Sequence, residues 1–415
     1  MPVAERSVRL SRHFYRITVA NGIFTLAQSL FSLVVTVLIY ETTGSALNVG
    51  LAFAISLIPN GIGFLTRVNR NTRLMPQYRR VTLLAALTTV LAGMALLIRL
   101  HWALFLVVFL LGSLMALGEA IQMALIPTLT PDLDRANSVN YGAATMAQLI
   151  GFSGGPLLLK QTHRLPTVAV TLLLFLITWT LLWPSNSDGF KQEPTSDIGD
   201  EAHGPPANVY RLVWEHPALR YVTWWMVPHY LGIGIYNALA VVLIFLGYHG
   251  HAWAYGFLGT AEVLGMTLGS AVTTVRPQWL LRRGLVLILS LAGTAVGVWF
   301  VAHSPTIWIA ILWGFPAGFI NVFSVVVVRG LVQETTPAEV HAAVFSLRLA
   351  TTRVAEAGGG ILGGLVVTEH LLGIRGVYTL GALAIACAAI VALANVSVFA
   401  RTSQSQTDRG YGNDS

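Results

Sequence analysis

Polar and apolar positions along this chain alternate in long blocks rather than in short amphipathic periods. Twelve apolar runs follow one another, at approximately 17–40, 47–66, 81–98, 103–127, 139–159, 166–184, 219–246, 252–274, 284–302, 305–329, 342–367 and 374–398. Runs of about 20 such residues are long enough for a helix to cross the hydrocarbon core of a bilayer. The longest polar interruption holds Asp188, Lys191, Glu193, Asp197, Asp200 and Glu201 together with Pro194, Pro205 and Pro206. That composition predicts a flexible linker. The expected organisation is an N-terminal six-helix bundle (1–184), a linker (185–216), a C-terminal six-helix bundle (217–400) and a disordered tail (401–415). One constant shift lays Gly50 on Gly256, Thr130-Pro131 on Thr336-Pro337, and Gly154 on Gly360. The same shift lays the first run on the seventh, as expected for two parallel repeats. The fold class predicted is therefore an all-α membrane protein with twelve transmembrane helices in two pseudo-symmetric six-helix bundles.

Composition sharpens this picture. Of 415 residues, 55% are hydrophobic and 10% charged, far from the roughly 25% charged residues of a soluble domain. The net charge of +7 would suit a nucleic-acid partner, but the placement of the basic residues explains it otherwise. With the N-terminus in the cytoplasm, the outer loops carry only Arg99, Lys160, Arg164 and Arg375, and Arg348 and Arg353 fall inside the eleventh run. The remaining Lys and Arg residues lie on the cytoplasmic side, which fixes the orientation. Both termini and the linker are then cytoplasmic, no nucleic acid is implied, and a cell (plasma or inner) membrane is the expected location. Met1–Arg16 is polar and basic, and the run after it is long enough to span, so no cleavable leader is expected. The single cysteine, Cys387, excludes an intramolecular disulfide or a cysteine metal cluster. Walker A and His-Glu-x-x-His patterns are absent. The glycine runs at 358–360 and 363–364 lie in a membrane segment and read as packing residues. Neither an enzyme, nor a metal, nor a cofactor is expected.

Ionisable groups inside membrane segments are costly and point to function. Three carboxylates fall well inside the runs. Glu119 has Gln122 one turn further on the same face, and either takes and releases a proton or makes a structural hydrogen bond. Glu262 has no basic residue within four positions, so it is protonated or faces a cavity. Glu356 lies three residues after Arg353, a spacing that permits an intrahelical ion pair, self-neutralising or part of a gate. Asn21 and Gln28 share one face of the first run. Trp225, His229 and Tyr236 follow a four-then-seven spacing on the seventh, with Asn237 adjacent. Such an aromatic face with hydrogen-bonding tips suits a bulky, amphipathic solute; an interfacial belt for Trp225 and plain packing for His229 are the alternatives. Asn321, beside Pro316 and Gly318, is a further candidate.

Within Tyr141–Lys160, Ala143, Ala147, Gly151 and Gly155 recur every fourth position and form a small-residue stripe for close helix approach. The order Gly142, Gly151, Gly155, Pro156 resembles the antiporter motif on the fifth helix of exporters in the major facilitator superfamily; where that motif continues with Gly-Gly, this chain has Leu159 and Lys160. Gly63, Arg67, Arg70 and Arg73 resemble the same family's loop between helices two and three, without its aspartate. The run Ile126 to Ser138 is similar to the loop between helices four and five of its macrolide-efflux and siderophore-exporter branch. This resemblance implies proton-coupled efflux of a small drug-like or siderophore-like molecule by alternating access. Protons, the solute and the bilayer are the implied partners, and the protein is expected to be a monomer. It further implies that the first and seventh helices line the cavity, and that the small-residue stripe lies where two halves meet. Uptake of a nutrient, and a non-transporting receptor or assembly factor on the same fold, remain open.

Overall fold

The computed structural model describes residues 11–62, 74–97, 100, 102–129, 133–161, 164–183, 208–276, 282–336 and 340–395. Among these there are helices and turns and no strand. The helices are α1 (Arg12–Thr43), α2 (Ala46–Ile62), α3 (Leu74–Leu97), α4 (Ala103–Leu129), α5 (Leu133–Gln161), α6 (Arg164–Leu181), α7 (Asn208–Glu215), α8 (Pro217–Gly247), α9 (Ala252–Val275), α10 (Arg283–His303), α11 (Ile307–Thr335), α12 (His341–Thr368) and α13 (Ile374–Ala394). Each of the twelve apolar runs overlaps one of them over its described residues, and α7 is the addition. The helices often outrun the apolar stretches. α1 has 32 residues, about 48 Å at 1.5 Å per residue, whereas the hydrocarbon core is about 30 Å thick. Its first turns carry Arg12, His13 and Arg16, which hydropathy cannot assign to a span but which sustain the helix.

By length and composition, α1, α3, α8, α10, α11 and α13 contain stretches able to cross a membrane, and α2, α4 and α6 contain shorter apolar helices. α8 is a 31-residue segment of α-helical turns interrupted by two π-helical stretches, Tyr221–Trp225 and Leu243–Gly247. α7 is amphipathic: Val209 and Val213 are fully buried, whereas Tyr210 and Trp214 are exposed and Arg211 pairs with Glu215 at 2.6 Å. An aromatic and charged outer face suits a helix at a membrane–water boundary.

The described residues form two compact units. Unit 1 draws on Met1–Val35 and Thr66–Glu201, unit 2 on Thr36–Leu65 and Ala202–Ser415. The division differs from a boundary placed only in the linker, because α2 and the end of α1 go with the C-terminal helices. Direct backbone contact is the reason. A Cβ on Gly50 would overlap the carbonyl of Gly360, and one on Gly364 would come within 2.7 Å of the Ala46 carbonyl oxygen. The Leu47 amide also donates to Thr368 Oγ1 at 3.0 Å.

Glycines bring the other helices of unit 2 equally close. Gly265 and Gly269 of α9 lie against the backbone of Phe315 and Phe319 of α11, and Gly318 of α11 lies against the backbone of Glu262. Gly234 of α8 meets the backbone of Glu356, Gly359 of α12 that of Leu231, and Gly232 that of Gly381 in α13. Lipid is as apolar as a leucine side chain, so helices in it are held by such close van der Waals packing. Pro316 sits within α11, which continues through it.

In unit 1 the small-residue stripe of α5 packs on α1 of the same unit. A Cβ on Gly151 would meet Ser29 Cβ at 2.6 Å, one on Gly155 would reach Leu30 at 3.3 Å, and Gly22 faces Ala143 and Ala147. The contact partner is thus α1 within the unit, because Ser29 and the adjacent turns of α1 leave room only for small side chains. Gly142 faces open space. Pro156 lies within the α5 helix, which runs on to Gln161. Phe24 of α1 packs edge-on against Tyr78 of α3 and Phe175 of α6, with centroids at 6.1 and 5.4 Å.

These contacts make substitution at glycines selective. Gly318→Ala should destabilise the protein by about 1–3 kcal/mol, since the added methyl has only backbone to displace. Gly330→Ala, on the same helix with nothing within 4 Å, should be neutral or stabilising by about 0.5–1 kcal/mol. Thermal unfolding of the two purified variants in detergent checks the difference.

Candidate functional site

Unit 2 holds two buried polar clusters, both touching α8. The first surrounds Glu262 in the middle of α9. Its carboxyl lies deep in the unit, facing the hydroxyl of Tyr236 from α8. Tyr255 lies about two turns back on α9 and hydrogen-bonds Thr36 of α1. Tyr378 of α13 donates to the Tyr236 carbonyl at 3.0 Å, and the two rings meet edge-on at 6.0 Å. Glu262 is in no ion pair with a described residue, yet it keeps part of its surface accessible. The group that faces it is therefore a phenolic hydroxyl, able to donate or accept as the carboxyl changes state. Gly318 against its backbone fixes where the side chain starts.

The second cluster lies between α8 and α12. Arg348 is 8% exposed and its Nη2 donates to the Tyr230 hydroxyl at 2.6 Å. Its guanidinium carbon lies 5.9 Å from the Tyr230 ring centroid. One and a half turns along α12, Arg353 Nη1 donates to Glu356 Oε2 at 2.8 Å, with Glu356 the more buried partner. The i,i+3 pair read from the sequence is formed. His229 is 3% exposed, stacks edge-on with Tyr230 at 5.1 Å, and its Nδ1 has no partner among the described residues.

Trp225 departs from this group. It is 50% exposed, whereas His229 and Tyr236 are buried. The four-then-seven spacing assumes regular α-helical phase, but Trp225 closes the π-helical stretch Tyr221–Trp225. A wider turn there rotates it away from the face that His229 and Tyr236 share. Asn237 and Asn321 are both partly buried, and Asn321 accepts from Ser324 Oγ through its carbonyl at 2.7 Å.

Unit 1 carries a smaller set. Asn21 Nδ2 donates to Asn140 Oδ1 of α5 at 2.9 Å. Gln122 of α4 donates to the Tyr78 hydroxyl of α3. Gln28 lies two turns along α1 from Asn21 and is partly buried. Glu119 lies on α4, one turn before Gln122; its side chain is outside the described residues, as are Gly63, Arg67, Arg70 and Arg73. Asn140, Tyr78, Tyr255 and Tyr378 complete these clusters without having been singled out from sequence, and Arg348 was noted there only as lying inside the eleventh run. A tyrosine in an apolar run reads as packing, and only the fold aims its hydroxyl at a carboxyl or a guanidinium.

A family model described as Major Facilitator Superfamily matches residues 17–280. Among curated proteins no relative matches. Among solved structures, the nucleoside transporter NupG aligns with a TM-score of 0.68 at 14% identity, covering 92% of this chain and 99% of that one. A mutant of NupG reaches 0.71 at 13% identity with the same coverage. The POT family transporter PepTSo aligns at 0.71 and 12% identity, covering 96% of this chain and 99% of its own. At such identities the likeness is one of fold.

The Asn21–Asn140 contact gives a test of unit 1. A double-mutant cycle with Asn21→Ala and Asn140→Ala, read by thermal unfolding, should yield a coupling of about 0.6–1.7 kcal/mol, the range for hydrogen bonds between membrane helices.

Proposed function

Since this chain belongs to the Major Facilitator Superfamily, a family of multi-pass membrane transporters with twelve helices in two bundles, we propose that it exports a small amphipathic molecule in exchange for protons. Glu262 carries the reading. It is a carboxyl deep in an apolar unit, without an ionic partner among the described residues, partly accessible, and faced by Tyr236. A buried acid of this kind is costly to maintain for packing alone, whereas proton uptake and release give it a use. Glu119 on α4 is the second proposed proton carrier, in the N-terminal half, and Gln122 with Tyr78 supplies hydrogen-bonding capacity one turn away.

In the proposed cycle the protein sits in the cell membrane with both termini cytoplasmic, as the basic residues indicate. Protonation of Glu262 from outside favours one access state, and solute binding from inside favours the other. Exchange follows only if each ligand binds the two states unequally. Tyr236 serves both steps: its hydroxyl donates to the ionised carboxylate and accepts from the protonated acid. In unit 2 the solute is held by aromatic and amide groups of α8 and α11, among them His229, Asn237 and Asn321; Asn21 and Gln122 are the polar candidates of unit 1. Export as the direction rests on the order Gly142, Gly151, Gly155, Pro156 in α5. Uptake is the second reading, favoured by Leu159 and Lys160 where the exporter motif has two glycines.

The test uses purified protein in proteoliposomes and a solute found by thermal-shift screening. Glu262→Gln and Glu119→Gln should each lower pH-gradient-driven flux about tenfold or more, the scale of a typical coupling free energy, while solute counterflow without a gradient persists. Full gradient-driven flux in both variants would overturn the assignment. Counterflow in vesicles of known orientation separates export from uptake.

A further inference from the structure

The cluster around Arg348 has an excess of positive charge and of hydrogen-bond donors. Arg348 and Arg353 face one carboxylate, Glu356, which is itself 7% exposed and already accepts from Arg353. His229 and Tyr230 are further titratable groups close to Arg348. With His229 neutral, the group carries one more positive than negative charge among the described residues. An uncompensated buried ion is expensive, and proteins relieve it with a counter-ion. The donor accounting agrees. Arg348 Nε and Arg353 Nε are buried and have no acceptor among the described residues. Tyr230 accepts from Arg348, so its own O–H proton remains to be donated. Arg353 keeps about a third of its side chain exposed, at 34%.

We propose that Arg348, with Arg353 and Tyr230, receives the anionic group of the transported molecule, and that this group is a carboxylate. The proposal builds on the transport function above and names the class of its solute: an amphipathic organic acid. A planar guanidinium offers paired N–H donors that match the two oxygens of a carboxylate, which a point charge does not. The His229 and Tyr230 rings beside Arg348 give the apolar remainder of such a molecule a surface to pack on. Glu356 holds Arg353 in place, and Arg348 is in no ion pair with a described residue. The acid at Glu262 and this anion site stand on different helices, so proton and solute need not compete for one group.

Binding to the full-length protein in detergent at near-neutral pH tests this directly. The probes are benzoate, phenylacetate and salicylate, each beside its neutral primary amide. The carboxylates should raise the unfolding temperature in a concentration-dependent way and the amides should not. Arg348→Gln should weaken carboxylate binding about tenfold or more. Arg348→Lys, which keeps the charge and loses the fork, should fall between the two. Equal stabilisation by acids and amides would overturn the proposal. So would undiminished acid binding by Arg348→Gln, or no stabilisation by any of the three acids at millimolar concentration. The acid–amide comparison on the unmodified protein needs no variant to fold. Because it reads binding rather than gradient-driven flux, it can fail while Glu262 still couples protons, or succeed when Glu262 does not.

Discussion

The structure of unit 2 depends on helices meeting backbone to backbone at glycine. Two of these contacts fall at the buried carboxylates: Gly318 of α11 lies on the backbone of Glu262, and Gly234 of α8 lies on that of Glu356. In a bilayer the hydrophobic effect does not drive helices together, so this packing carries much of the burden of association. It also has a chemical consequence. An acid whose Cα is pinned by a neighbouring helix can move only by rotating its side chain, which keeps the hydroxyls and guanidinium groups around it within reach.

α8 ties the two polar clusters together. It presents His229 and Tyr230 to Arg348 and, six to seven residues later, Tyr236 to Glu262. Six residues of α-helix span about 9 Å, and Gly234 lies between them. A shift of α8 would therefore change the surroundings of the acid and of the arginine at once. That is the property required of an element whose two positions are each favoured by a different ligand. The π-helical stretches at its two ends, Tyr221–Trp225 and Leu243–Gly247, are the irregular turns that accompany functional helices.

The two clusters also differ in kind. Glu262 is faced by the Tyr236 hydroxyl, which can donate or accept and so tolerates both states of an acid. Arg348 and Arg353 offer donors only, and a guanidinium keeps its charge. One site is suited to a proton and the other to a fixed negative charge, and the proposed division of labour between them follows from that chemistry.

Length and apolarity alone determined the twelve helices, because a bilayer admits only segments that satisfy their own backbone hydrogen bonds. The cost of burying charge picked out Glu262, and helical spacing gave the Arg353–Glu356 pair. Spacing failed at Trp225, where a π turn breaks the phase, and it could not say what the α5 stripe faces. That stripe packs on α1 within its own unit, and α2 packs on α12 through Gly50 and Gly360 rather than staying with its neighbours in sequence. Nor could sequence join Tyr230 to Arg348, Asn140 to Asn21, or Tyr236 to Glu262, since each pair lies on separate helices. The identity of an ionisable residue states that its charge must be answered; only the tertiary structure decides which group answers it.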